Sequence, residues 1–372
     1  MELYYYTSTD TMQYILKNGD IFATNIRYMN DSEEYINGLK ELKKLADNEE
    51  LVAQWLKKYN RNDISVENVK ETFTDENLRI NMQNMEYYSI SFCGTNDLLS
   101  QWAIYAKEAG VSIKMNFEKS SYRFLTAGAE ERKAEWNLLP QKVHYFTYES
   151  MKNQREKYME NAFSVLEQLY PEVLKDPVEG RNETWRYIST FVKRYDFYQE
   201  AESRLVFQPE QSVYPPKVEY RNDKHVLKPY LDIECEEGWP IWEIMVGPGF
   251  NQQIVYNSIV HFAEHADIKN GIKTIKDYGK RVLNYFHPFK EELKKYDLYL
   301  EIEKKLSDEQ AFEKMNLEDA RITIGGRVKK ICRDICECEN KGWSKELREY
   351  IEKNCFTICG IVISKSSIPY IF

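Results

Sequence analysis

Short runs of alternating apolar and polar residues recur along the chain, with stretches of helical spacing between them. Leu3 to Thr7 is tyrosine-rich and predicts a first strand. Ser8 or Thr9 can cap a short helix through about Lys17, which Asn18-Gly19 ends. Ile21 to Thr24 predicts a second short strand. Asn30 or Asp31 then stands as a helix N-cap, with Glu33 and Glu34 suited to a first helical turn. Residues from about 31 to 82 read as mostly helical, with a break near Asn60 to Asp63. Tyr87 to Cys93 is the next strand. Its alternation puts Tyr87, Ser89, Ser91 and Cys93 on one face and Tyr88, Ile90 and Phe92 on the other. Gly94 to Asp97 turns the chain, Leu98 to Ala109 predicts a helix on which Trp102 and Tyr105 share a face, and Val111 to Phe117 returns as a strand.

Lys142 to Tyr148, containing His144, predicts another strand, and helices follow at about 150–170 and 183–195. Phe197-Tyr198-Gln199-Glu200-Ala201-Glu202-Ser203-Arg204-Leu205-Val206-Phe207 has an unusual pattern. If Glu200 to Phe207 is extended, Glu200, Glu202 and Arg204 point to one face. Carboxylates that close call for a cation or ligand between them. Lys217 to Tyr220, Val226 to Ile233 and Ile241 to Val246 predict strands. Gly247-Pro248-Gly249 turns into a helix at about Gln252–His265, a charged helical region runs from 272 to 354, and Phe356 to Ser364 predicts a closing strand. Strands spread over the whole length without regular βα alternation predict an α+β fold. The expectation is a mixed, largely antiparallel sheet with flanking helices and a helical C-terminal insertion. Residues 1–271 would form the core, 272–354 the insertion or appended layer, and 355–372 a strand returning to the core.

With 372 residues, 42% of them apolar, the chain can bury a large core. The net charge of −9 argues against a broad basic surface for nucleic acid, although nucleic acid as a modified target is not excluded. No apolar run approaches the roughly 18 residues of a membrane span. The start, Met1-Glu2-Leu3-Tyr4, lacks a basic segment followed by an apolar one, so no signal peptide is expected. Seven cysteines, an odd number, fit free thiols in a soluble cytoplasmic protein.

Several chemistries find little support. Cys332, Cys336 and Cys338, and Cys355 and Cys359, lack the C-x2-C pairs of zinc sites, and spacing of four within helices suits buried thiols on one face. His261 and His265 are four apart, but Phe262 stands where a zinc protease needs glutamate. No phosphate-binding glycine loop and no Gly-x-Ser-x-Gly elbow occurs. Cys93 has no base that can be placed near it.

What remains is an ordered set of short motifs. They are Leu-Tyr-x-Tyr-Thr-Ser at Leu3 to Ser8, Asn-Asp-x-x-Glu at Asn30, Asp31 and Glu34, and Ser-x-Ser-Phe at Ser89 to Phe92. Trp-x-x-Tyr-Ala with Gly-Val follows at Trp102 to Val111, then Glu-x-Glu-x-Arg at Glu200 to Arg204, Gly247-Pro248, and Ser-x-Ile-Pro at Ser366 to Pro369. In this order the chain resembles a bacterial family of unknown function, number twenty-nine seventy-one among such domains. The resemblance covers about 1–265 and 356–370 and leaves 272–354 unexplained.

More loosely, the chain is similar to ADP-ribosyltransferases. That similarity implies NAD as substrate, Glu202 as the carboxylate that stabilises the ribosyl cation, and Glu200 as the residue that positions the acceptor. Tyr5 or Tyr105 would stack on nicotinamide, Thr7 or Ser91 would hold ribose or phosphate, and Asn30, Ser89, Trp102 and Arg204 would complete the site. Tyr5 stands where a His or Arg is expected, with Arg27 and Arg204 as substitutes. Transfer to protein or nucleic acid, or hydrolysis of NAD, would fit a toxin or phage-defence effector. Other readings remain open. Glu202 and Arg204 can be a structural ion pair, Asn30 a helix cap, and Trp102 and Tyr105 a packed helix face. The chain would then be a non-catalytic interaction module, with 272–354 meeting a protein partner or a second copy. A third reading is a metal-dependent nuclease using Asp31, Glu34, Glu200 and Glu202, although no compact carboxylate–lysine cluster is visible.

Overall fold

A computed structural model describes residues 1–29, 34–58, 60, 62, 65–72, 74–76, 86–105, 110–128, 131–145, 147, 157, 187, 189–223, 225–269, 275–294, 300, 304, 317–337, 343–357 and 359–368. Helices and strands are interspersed, and the fold is α+β with largely antiparallel pairing. The chain divides into two compact units. The first comprises Met1–Asp20, Thr95–Tyr122 and Glu234–Phe372, and the second Ile21–Gly94 and Arg123–Ile233. Residues 1–271 are therefore shared between both units, and the C-terminal helices belong to the first.

The first unit is built on a five-stranded sheet in the order Glu2–Ser8, Gly110–Asn116, Ile241–Val246, Val362–Lys365, Cys355–Phe356. Only Ile241–Val246 and Val362–Lys365 run parallel. The helix Thr9–Asn18 forms where its signals predict. Ser8 caps it by accepting from Thr11 N at 3.2 Å, and Gly19 ends it in the left-handed region at φ 90°. The closing apolar run is a hairpin rather than one strand, because Gly360 at φ 80° and the bond from Gly360 N to Thr357 O turn the chain.

The helices Ile275–Phe286, Lys290–Leu293, Leu317–Glu337 and Lys345–Lys353 occupy much of the charged C-terminal region. Their apolar stripes are turned inward. Tyr278, Val282, Tyr285, Phe286, Val328, Ile335, Leu347 and Ile351 form one buried cluster with Phe356. Tyr285 donates to Asn354 O at 2.6 Å, Tyr350 donates to Tyr285 O at 2.9 Å, and Arg281 donates to the carbonyl of Ile241. These helices are thus part of the first unit's core. Cys332 and Cys336 lie half-buried against this cluster, whereas Cys355 and Cys359 sit in the hairpin rather than on a helix.

The second unit carries an eight-stranded sheet in the order Lys133–Leu138, Tyr122–Ala127, Val226–Cys235, Asp20–Asn25, Tyr88–Phe92, Ser203–Phe207, Gln141–Lys142, with Glu219–Asp223 added beside Val226–Cys235. Ser203–Phe207 pairs antiparallel with Tyr88–Phe92, so Arg204 lies opposite Ser91 and Val206 opposite Ser89. One face packs Phe207 edge-on against Phe124 and Trp136. On the other, Val206 joins Ile26, Tyr87, Tyr187 and Phe191.

Several boundaries differ from those predicted. In place of the strand predicted at Lys142 to Tyr148, the described residues hold two short strands, Gln141–Lys142 and His144–Tyr145, in different sheets, with Val143 N bonded between them to Glu202 O at 2.9 Å, and 146 and 148 lie outside the described residues. Within the helix predicted at 183–195, Val192–Lys193 is a strand and 183–186 and 188 lie outside the described residues; Tyr195–Glu200 is a 3-10 turn. The helix carrying Trp102 spans Leu99–Tyr105, and 106–109 lie outside the described residues, as does most of 150–170.

Because the C-terminal helices supply core, Leu347→Ala should lower the unfolding free energy by about 2–5 kcal/mol, the range for large-to-small core changes. Chemical denaturation of the full chain measures this. A loss below about 0.5 kcal/mol, the usual limit for surface changes, would mean that these helices are not integral.

Candidate functional site

Each unit gathers several of the sequence-derived candidate residues. In the second unit the focus is Phe197–Phe207. The 3-10 turn Tyr195–Glu200 ends at Ala201, which is left-handed at φ 44°, so Glu200 lies outside the strand and extension begins only at Ser203. This corrects the expectation that Glu200 to Phe207 is extended. The physical reason is local: Glu200 O accepts from Gly94 N at 3.1 Å and from Cys93 Sγ at 2.9 Å, which clamps the turn. A Cβ on Gly94 would come within 2.6 Å of Ala201 O, so only glycine allows that approach.

The carboxylates still meet. Glu202 is 5% exposed and Arg204 4%. The Arg204 fork grips Glu202, with Nε 2.6 Å from Oε1 and Nη2 2.9 Å from Oε2. The third Arg204 contact is Nη1 to Thr190 O at 2.6 Å. The cation that two close carboxylates require is the chain's own Lys193, whose Nζ is 2.7 Å from Glu200 Oε2 and 3.0 Å from Glu202 Oε2. The Phe197 ring lies 5.1 Å from the same ammonium. Glu202 N donates to the Tyr145 hydroxyl at 2.7 Å.

Burial alone would raise the Glu202 carboxyl. The Arg204 and Lys193 charges and the Arg204 hydrogen bonds outweigh it and hold the group below the ordinary carboxylate range. Ser91, opposite Arg204, helps in the same direction, but its hydroxyl makes no hydrogen bond of full geometry, so the two cations carry the effect. Burial and then the Glu202 charge push the Tyr145 phenol up, so it remains a neutral partner. Burial and then the Lys142 charge push His144 down to about 4.

In the first unit the focus is Asp97, which the sequence presented only as a turn residue. It is left-handed at φ 54° and accepts from Trp102 Nε1 at 2.9 Å. It also accepts from the Ser366 hydroxyl and from Ser367 N and Oγ at 3.0 and 3.1 Å. Partial burial would raise its carboxyl, but the bonds from Ser366, Trp102 and Ser367 lower it overall. Trp102 is 2% exposed, with the Tyr6 ring edge-on to it at 4.8 Å. The Tyr6 hydroxyl accepts from Leu98 N at 2.9 Å and donates to Thr95 O at 3.1 Å. A Cβ on Gly247 would lie 2.8 Å from the Trp102 ring, and Gly247 N bonds Gly110 O at 2.9 Å. Residues from the Leu-Tyr-x-Tyr, Trp-x-x-Tyr, Gly-Val, Gly-Pro and Ser-x-Ile-Pro motifs thus meet around one aspartate and one indole.

Of the residues named from sequence, the second unit brings together Ser91, Glu200, Glu202 and Arg204, with Ser89 buried on the same strand face. Tyr5, Thr7, Trp102 and Tyr105 belong to the first unit. Thr7 is buried, Tyr5 half-buried and Tyr105 42% exposed. Asn30 and Asp31 lie outside the described residues, as does the side chain of Glu34. Lys193, Thr190 and Tyr145 were missed. Lys193 precedes the carboxylates by seven and nine residues, and only the turn at Tyr195–Glu200 returns it to them. Among the described residues no three His, Cys, Asp or Glu side chains converge on a metal-sized site, and no helix is long and apolar enough to cross a membrane. Compared with known proteins, the chain matches no family model, no curated protein and no solved structure.

Two outcomes follow from this geometry. Glu202→Gln should cost about 3–5 kcal/mol near neutral pH, as breaking a buried pair does. Because the folded carboxyl is depressed, the wild-type advantage is full above the ordinary value of about 4.3 and shrinks as pH falls towards the lower folded value. Urea denaturation across pH reads both effects, and a pH-independent difference would contradict the ionised pair. Gly247→Ala should cost about 1–3 kcal/mol by overpacking, and Trp102→Phe in the same chain should make the pair of changes less than additive.

Proposed function

We propose that the chain is an interaction module that acts by binding rather than by chemistry at Phe197–Phe207. One observation carries this reading: both Glu202 oxygens are already engaged, by the Arg204 fork and the Lys193 ammonium, in a buried setting. A carboxylate that stabilises a ribosyl cation needs an oxygen facing substrate. Here Oε1 would first have to leave Arg204, and Oε2 both Arg204 and Lys193, in a low-dielectric interior. The carboxylate–lysine cluster that a nuclease would need is present, but Lys193 occupies the place of a metal between Glu200 and Glu202.

The second reading is an effector similar to ADP-ribosyltransferases, as the Glu-x-Glu resemblance implies. One feature favours it. The Ser91 hydroxyl is enclosed beside Glu202 on the face of the strand pair that carries Arg204 and makes no hydrogen bond of full geometry, and a ligand hydroxyl could satisfy it. In that reading Glu202 would meet NAD through an oxygen that the Arg204 fork already holds.

Incubation of the full chain with NAD and bacterial lysate separates the readings. The expected result is no release of nicotinamide and no labelled macromolecule, from wild type and from Glu202→Gln alike. Turnover by wild type that Glu202→Gln abolishes, with the variant still folded by circular dichroism, would overturn the binding reading in favour of transfer or hydrolysis.

A further inference from the structure

The first unit holds a cleft of about 360 Å³ lined by Gln252, Gln253, Glu349, Glu352, Lys353, Lys365 and Ser366. That size lies within the roughly 300–1,000 Å³ of small-molecule sites. Its position follows from topology. Ile241–Val246 and Val362–Lys365 are parallel and end side by side, with Val246 opposite Lys365. The chain then enters the helix Gln252–His265, whose N-cap residue Asn251 makes no side-chain cap bond. The ends of parallel strands beside a helix N-terminus favour negatively charged ligand groups.

The floor of the cleft is rigid. Gln252 Nε2 donates to Val246 O at 3.2 Å, Gly247 O at 3.1 Å and Ser366 O at 3.3 Å, which ties both strand ends to the helix. Lys365 Nζ is oriented by Gln253 Oε1 at 3.1 Å and by the Tyr256 ring at 5.1 Å. The helix Lys345–Lys353 adds Glu349, Glu352 and Lys353 to the lining.

Both signs of charge line the cleft, yet among the described residues no lining lysine forms an ion pair with a lining glutamate. Glu349 pairs instead with Lys345 at 3.4 Å. An inorganic anion would meet two glutamates, and a simple cation would meet two lysines. A ligand that carries both charges answers both signs of the lining.

We infer that this cleft between the two helices and the paired strand ends binds a small zwitterion of the α-amino-acid class. The carboxylate faces Lys365 and the first turn of Gln252–His265, and the ammonium faces Glu349 and Glu352. The inference is independent of the role of Glu202.

Isothermal titration calorimetry of the full chain with L-glutamine, L-glutamate and L-lysine, each alone, tests it, with inorganic phosphate as the anion control. Lys365→Met and Glu352→Gln serve as variants, and thermal melting confirms that each remains folded. Saturable binding of at least one amino acid is expected, weakened about tenfold or more in each variant, or about 1.4 kcal/mol. Phosphate should give no saturable heat. The inference is overturned if none of the three amino acids binds, if either variant binds as tightly as wild type, or if phosphate binds with the same dependence on Lys365.

Discussion

A guanidinium taken out of water must be paired, and in this chain the burial of Arg204 governs the middle of the second unit. The strand Ser203–Phe207 needs Leu205 and Phe207 on one packed face and Val206 on the other, which sends Arg204 to the side of Tyr187 and Phe191. There it meets Glu202 and the carbonyl of Thr190. Glu202 in turn draws in Lys193, and Lys193 holds Glu200. The tight turn Tyr195–Glu200, with Ala201 left-handed behind it, is the geometry that lets these groups close on one another. An assembly in which each charge satisfies the next is rigid, and that rigidity favours a structural part over a reactive one.

The first unit uses a carboxylate in a different way. Asp97 meets no cation among its hydrogen-bond partners; it collects donors from Trp102, Ser366 and Ser367. Those donors come from segments more than two hundred and fifty residues apart, so one side chain joins the turn after Gly94 to the end of the sheet. Gly247 completes the contact because no side chain fits between its backbone and the indole. Residues of several dispersed motifs thus meet at this contact in the first unit.

Much of the architecture was legible from the sequence. Ser8 and Gly19 mark both ends of the first helix, and the alternation of Tyr88 to Phe92 marks a strand, because both signals are local. The strands Tyr122–Ala127 and Lys133–Leu138 were not assigned. In the second, Ala134 and Trp136 point inward while Lys133 and Asn137 are exposed, a period-two signal that was there to be used. The Glu202–Arg204 pair was legible because its residues are two apart. Lys193, Thr190 and Asp97 were not, since their partners depend on turns and on pairing across long separations, which spacing does not encode.

The most direct measurement is a double-mutant cycle between Glu202→Gln and Arg204→Met, read as unfolding free energies of the full chain. A structural pair buried as tightly as this one predicts a coupling of about 1–3 kcal/mol. Free energies that add within about 0.5 kcal/mol would contradict it, and would leave Glu202 available for another role.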